Sequence, residues 1–145
     1  MSELHSDATP TDTEAMAAAL AGTFSEFLGL GMGPEADDGS VTAELDLRPD
    51  MCQPMGIVHG GILSAVAEEL ASYATFRHVC TDGRFCVGQS NLTHFLRPTR
   101  SGTLHVKATP LHRGRTSWVW QVVTLDDAGR RCAVSTVTMA VRRPE

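Results

Sequence analysis

The sequence predicts an α+β fold in which one long helix packs on a curved antiparallel sheet. Three observations lead there. A helix-length run, "GGILSAVAEELASYATFR", occupies Gly60 to Arg77 in mid-chain. A strand-like alternation, Val41 to Leu47, precedes it. After it, from Arg84 to Val141, the chain reads as extended segments separated by short turns, with no further helical period.

Residues 1–10 are small, polar and aperiodic, and are expected to be disordered; residues 11–145 are expected to form a single domain. Thr11 and Glu14 make a T-x-x-E capping box, which predicts a helix from Asp12 to about Leu28 with Met16, Leu20, Phe24 and Leu28 on one stripe. "GLGMGPEADDG" then breaks the helix and has room for a short strand. Val41, Ala43, Leu45 and Leu47 alternate with Thr42, Glu44 and Asp46, a half-buried strand. "RPDMCQPMG" is a loop punctuated by Pro49, Pro54 and Gly56, and leads into the long helix. "CTDGR" is a turn. Arg84 to Leu96 is extended and stopped by Pro98. Thr103–Leu111, Thr116–Leu125 and Cys132–Val141 follow, joined by "HRGR" and "DDAG", which predicts an antiparallel meander.

The 145-residue chain is 42% hydrophobic and 20% charged, as in ordinary globular domains. Its net charge of −5 argues against duplex nucleic acid or an anionic membrane surface as the main partner. No segment has the apolar length to span a bilayer, and the N-terminus lacks the charge-then-apolar order of a signal peptide, so the cytoplasm is the expected compartment. Cys52, Cys80, Cys86 and Cys132 form no CxxC pair and are expected to be reduced. His78, Cys80 and Cys86 fit no standard zinc spacing, so no metal is expected. Dinucleotide, Walker A and nucleophile-elbow motifs are missing, which leaves nucleotide-binding and serine-hydrolase readings without support.

The long helix carries the chemistry. Leu63, Val66, Ala67, Leu70 and Ala74 make one apolar stripe, and Ile62, Glu69, Tyr73 and Phe76 a second line. The third face, Gly61, Ser64, Ala65, Glu68, Ser72 and Thr75, has only small side chains apart from one carboxylate. Such a face leaves room for a subunit, a helix or a ligand. Solvated acids are the ordinary reading of two adjacent helix carboxylates. Neither Glu68 nor Glu69, however, has a Lys or Arg at i+4 to pair with. At the helix start, His59-Gly60-Gly61 presents unpaired N–H groups and the positive end of the helix dipole. Glycine lets a carbonyl approach them closely, as in an oxyanion hole. A tight loop-to-helix turn would use the same glycines; Glu68, nine residues after His59, is what favours chemistry.

These residues resemble the hotdog-fold acyl-CoA thioesterases, and most closely the 4-hydroxybenzoyl-CoA thioesterase type that uses a helix glutamate. The likeness runs through "GIVHGGILSAVAEELASYAT", "VGQSNLTHFLRP" and "TSWVWQVVTLDDAGRRCAVSTVTMAV". It implies a long helix wrapped by an antiparallel sheet, subunit pairing with sites at the dimer interface, and often a tetramer. By position it makes Glu68 the catalytic carboxylate, acting as nucleophile or as general base. The Gly60 N–H would polarise the thioester carbonyl. Gln53 would assist there, Ser72 would hold the water, and His59 would orient the loop or touch the thioester. For coenzyme A it favours Arg97, Thr116 and Arg142, with Arg113, Arg115 and Arg143 as further candidates. Coenzyme A is part of the substrate, and no separate cofactor is implied.

Tyr73 stands where the hydroxybenzoyl-specific type has an acidic residue, and Arg115 where near relatives have a small hydroxyl residue. A benzoyl-type acyl-CoA, with 4-hydroxybenzoyl-CoA as one member of that class, is therefore the expected substrate, and phenylacetyl-, naphthoyl- or fatty acyl-CoA are the alternatives. A non-catalytic acyl-CoA-binding module is the rival of another class; binding alone needs no Gln53, Glu68 and Ser72 together. A hotdog dehydratase would want a different His and acid arrangement. Trp118 and Trp120 are expected to pack on one strand face. Asn91 reads equally as a core amide or as a polar group in a pocket.

Overall fold

The computed structural model describes residues 18–145. The elements are α1 (Phe24–Leu28), β1 (Gly31–Glu35), β2 (Val41–Asp46), α2 (Gly60–Val79), β3 (Phe85–Phe95), β4 (Thr103–Arg113), β5 (Ser117–Leu125) and β6 (Arg131–Arg142), with 3-10 turns at Pro49–Met51 and Cys80–Asp82. The expected tail, residues 1–10, and the expected helix start near Asp12 lie outside the described residues. No helix among the described residues is long and apolar enough to cross a membrane.

The first helix departs from expectation. The chain is helical over 18–20, turns at Gly22 with φ 72°, and restarts as α1. A second capping box drives the restart: Thr23 Oγ1 accepts the Glu26 N–H, and Glu26 Oε2 accepts the Gly22 N–H. Gly29, in the left-handed region at φ 64°, ends it. The expected apolar stripe is therefore broken. Leu28 is buried in the core, whereas Phe24 is 58% exposed.

All strand pairs are antiparallel, in the order β1-β2-β4-β5-β6-β3. β4, β5 and β6 form the expected meander, and β3 returns to the far edge beside β6. The β4 strand runs two residues past its expected end, because a bulge between Pro110 and His112 carries it to Arg113.

Helix α2 lies across the sheet and buries Leu63, Val66, Ala67, Leu70, Ala71 and Ala74 against inward residues such as Val106, Trp120, Val122 and Met139. Each buried Leu or Val stabilises the fold by about 1.5–3 kcal/mol. Thr75, expected on the small-residue face, is instead buried. Its hydroxyl donates to the Ala71 carbonyl (2.8 Å) and accepts the Trp120 indole N–H (2.9 Å). Packing decided this, since a fully buried indole needs an acceptor.

Strand β3 runs alongside the small-residue face. Its inward residues meet successive helix turns: Cys86 at Ser72, Gly88 at Glu68, Asn91 at Ser64 and Phe95 at Gly60. From Cys86 to Asn91 the match is geometric: four helix residues rise about 6 Å and two strand residues about 6.6 Å. A bulge between Gly88 and Ser90 keeps the phase. Among the described residues β3 is an edge strand with no further strand beside it, and its Val87 and Leu92 are exposed.

Candidate active site

The N-terminus of α2 opens on a cleft of about 740 Å³ lined by Gln53, His59, Gly60, Leu63, Phe95 and Arg97. Four of the residues singled out in the sequence thus meet here: Gln53, His59, Gly60 and Arg97. His59 is the helix N-cap, and its Nδ1 accepts the Gly61 N–H at 2.8 Å. An acceptor at Nδ1 puts the ring proton on Nε2. Neither glycine has room for a side chain. A Cβ on Gly60 would come within 3.0 Å of the Phe95 ring, and one on Gly61 within 3.0 Å of His59 Nδ1. His59 takes the Gly61 N–H, so the Gly60 N–H is the donor left to the cleft, where a carbonyl oxygen would meet the positive helix end.

The loop that presents Gln53 is tightly held. Its N–H donates to the Ile57 carbonyl (2.8 Å), and the Arg100 guanidinium donates to the carbonyls of Met55 (3.1 Å) and Gly56 (3.2 Å). Gly56 makes the turn at φ 74°. Gln53 Oε1 accepts the Met55 N–H at 3.0 Å, which leaves the amide NH2 available to a ligand.

Glu68 and Ser72 do not line this cleft. Glu68 is exposed and lies over Gly88, with the Asn91 amide 3.4 Å from its Oε2. Ser72, with Glu69, Tyr73 and Phe76, borders a separate apolar groove of about 660 Å³ completed by Leu30 and Met32. Eight residues separate Gly60 from Glu68 on one straight helix, about 12 Å. A carbonyl seated on Gly60 is beyond the reach of the same chain's Glu68.

The cationic candidates divide as well. Arg97 stands at the Phe95 end of β3. Thr116 and Arg142 stand at the Phe85 end, where the Arg142 guanidinium donates to the Thr116 carbonyl at 3.2 Å. Arg115 is beside them, its carbonyl accepting from Arg84 at 3.1 Å. Along β3 the two ends are about 35 Å apart, so one copy cannot bring both groups to one phosphate.

Arg113 is already engaged. Its guanidinium lies 5.0 Å from the Trp118 ring centroid and 5.6 Å from that of Trp120, and it donates to Glu35 and to the Gly39 carbonyl. Partial burial pushes the Glu35 carboxyl up, but hydrogen bonds from His78 and Arg113 outweigh it and hold the group below its ordinary 4.5. These contacts engage the Arg113 guanidinium within the fold, between β1, the β1–β2 turn and the two indoles of β5.

Asn91, which the sequence left open between a core amide and a pocket polar group, is half-buried with its amide on Ser64 and Glu68; Gly88, Thr93 and Phe95 are the site's neighbours that the sequence alone did not single out. Glycine in mid-strand was the available signal, since it marks a bulge or a close approach.

The thioesterase superfamily model matches residues 55–133, more than half of the chain. The proofreading thioesterase EntH of Cronobacter turicensis is 36% identical over 129 residues, covering 88% of this chain and 92% of that protein. Among solved structures, a glutamine-to-alanine variant of thioesterase PA1618 from Pseudomonas aeruginosa superposes with a TM-score of 0.81 at 32% identity, covering 93% of this chain and 96% of the other. Thioesterase HI1161 from Haemophilus influenzae gives a TM-score of 0.79 at 29% identity, covering 93% of each chain.

Proposed function

The chain belongs to the thioesterase superfamily and has its hotdog fold, and from that premise we propose that it hydrolyses acyl-CoA thioesters, preferring aromatic, benzoyl-type acyl groups, at a site shared by two copies of the chain. The cleft that unites Gln53, His59, Gly60 and Arg97 at the start of α2 carries this reading.

The thioester carbonyl sits on the Gly60 N–H, where the helix dipole stabilises the charge that builds on oxygen during attack. The Gln53 amide donates to the same oxygen or aligns the thioester. The attacking group comes from the partner. Antiparallel pairing of two β3 edges sets the Phe95 end of one copy beside the Phe85 end of the other. It carries the partner's Glu68, the partner's Thr116 and the partner's Arg142 toward Gln53, Gly60 and Arg97. The exposed apolar edge of β3 supports this pairing, because a long unpaired strand otherwise invites non-specific association. The 12 Å between Gly60 and Glu68 of one chain supports it too.

The carboxylate acts in one of two ways. As a base it takes a proton from water, and the hydroxide adds to the carbonyl and expels coenzyme A as thiolate. As a nucleophile it displaces the thiolate itself, and water then opens the mixed anhydride. Ser72 holds the water in either case. The groove beside Ser72, with Tyr73 and Phe76, suits an aromatic acyl group. No cofactor takes part.

A panel of benzoyl-, phenylacetyl-, naphthoyl- and fatty acyl-CoAs, followed by free thiol, tests the proposal. Fastest release from benzoyl-type substrates, lost in Glu68→Ala with binding kept, is expected. Binding without thiol release would instead assign a non-catalytic module.

A further inference from the structure

We infer that Asn91 is a positioning residue for Glu68, clamping both the helix turn and the carboxylate with one amide. The inference rests on the role of Glu68 proposed above. Asn91 Nδ2 donates to the Ser64 carbonyl at 2.9 Å and to Glu68 Oε2 at 3.4 Å. Ser64 and Glu68 are one helix turn apart, so a single amide spans the backbone and the acid of that turn.

The amide cannot be turned the other way. A backbone carbonyl only accepts, so the NH2 must face Ser64, and its second hydrogen is left for Glu68. On the other side, Thr93 Oγ1 donates to Asn91 Oδ1 at 2.8 Å. That hydroxyl lies 2.8 Å from Ser135 Oγ, its cross-strand partner in the β3–β6 register. Since Thr93 spends its proton on Asn91, Ser135 donates to Thr93. The chain Ser135 to Thr93 to Asn91 to Glu68 thus has every donor pointing toward the carboxylate. It starts at a serine only 2% exposed and ends at an exposed acid. Aligned hydrogen bonds of this kind polarise one another.

Strand packing does not call for an asparagine here. Asparagine is among the residues depleted in strands, and Asn91 is only half-buried. Gly88 completes the device, since a Cβ there would collide with the Glu68 carboxylate. Glu68 is fixed between an empty position and a directed donor before substrate arrives, which removes a rotamer search from the chemical step.

The test combines kinetics with benzoyl-CoA and crystallography of variants. Asn91→Ala should lower kcat by about 10- to 100-fold with KM little changed. In a Glu68→Ala background the same change should leave the residual rate within about twofold, and Asn91→Ala/Thr93→Val should be no slower than Asn91→Ala alone, as expected of residues acting through one another. Thr93→Val, nearly isosteric, serves as the milder variant, and thermal unfolding checks that each protein is folded. The crystal structure of Asn91→Ala should show the Glu68 carboxylate displaced from Gly88. Native kcat in Asn91→Ala beside an inactive Glu68→Ala, or a carboxylate that has not moved, overturns the inference. Native turnover in Glu68→Ala, or no thioester hydrolysis by the native protein, overturns the proposed function instead, and the displacement of the carboxylate still decides the role of Asn91.

Discussion

The Glu68 carboxylate rests against Gly88, in the space where any other residue would carry its side chain. The contact explains a glycine in mid-strand at a backbone conformation that other residues adopt freely; the need is for volume alone. Gly88→Ala should therefore fold, with a melting temperature within a few degrees of native. Pushing the acid aside should lower kcat with acyl-CoA by about 10- to 100-fold. Stopped thiol-release assays beside thermal unfolding separate the two effects.

A site divided between chains predicts complementation. Gln53→Ala damages the carbonyl side of every site, and Glu68→Ala the acid side. In a mixed two-fold dimer, one site collects both lesions and the other collects neither. After unfolding and refolding an equal mixture, half of the dimers are mixed, and activity should return to about a quarter of native. If each inactive variant stays inactive on mixing, both halves belong to one chain.

The long helix and the meander were legible because their signals are local. Gly60 begins the helix, and alternation with Gly-containing turns marks β4 to β6. The break at Gly22 was legible too, in "TFSE", but an apolar stripe drawn through it masked the second capping box. Of the candidate site, the cluster at the helix start follows from chain proximity: Gln53, His59 and Gly60 lie within eight positions, and only Arg97 comes from afar. Sheet order and face are not local. That β3 lies at the edge against Glu68, that Thr75 turns to Trp120, and that Arg113 is spent on two indoles all follow from tertiary packing. No periodicity in the sequence encodes them.

His59 is an unusual N-cap, because the role is ordinarily filled by Ser, Thr, Asp or Asn. Its Nδ1 holds the Gly61 N–H and so aims the neighbouring Gly60 donor. His59→Ala should destabilise the protein by about 1 kcal/mol and slow turnover. Asparagine restores an acceptor at the same place, so His59→Asn should recover the stability and keep kcat within about tenfold of native. A His59→Asn protein that is stable yet as slow as His59→Ala would mean that the imidazole itself touches the thioester.

The turn between β5 and β6 predicts how stability depends on pH. Asp126 is 7% exposed. It accepts the N–H groups of Ala128 (3.0 Å) and Arg130 (2.9 Å) and the Arg130 guanidinium (2.8 Å). The hydrogen bond from the Arg130 N–H, and then that from its guanidinium, hold the Asp126 carboxyl below its ordinary 3.8. A depressed pKa in the folded state means that the unfolded chain takes up the proton first. The contribution is therefore complete above about pH 4, fades as the pH falls through the interval between the unfolded and folded values, and is gone below the latter. Asp126→Asn keeps the shape and removes the charge. Its melting temperature should lie below native at pH 7, and the gap should close as the pH falls below about 4. A gap that stays constant down to pH 2.5 would show that the turn depends on the shape of residue 126 and not on its charge.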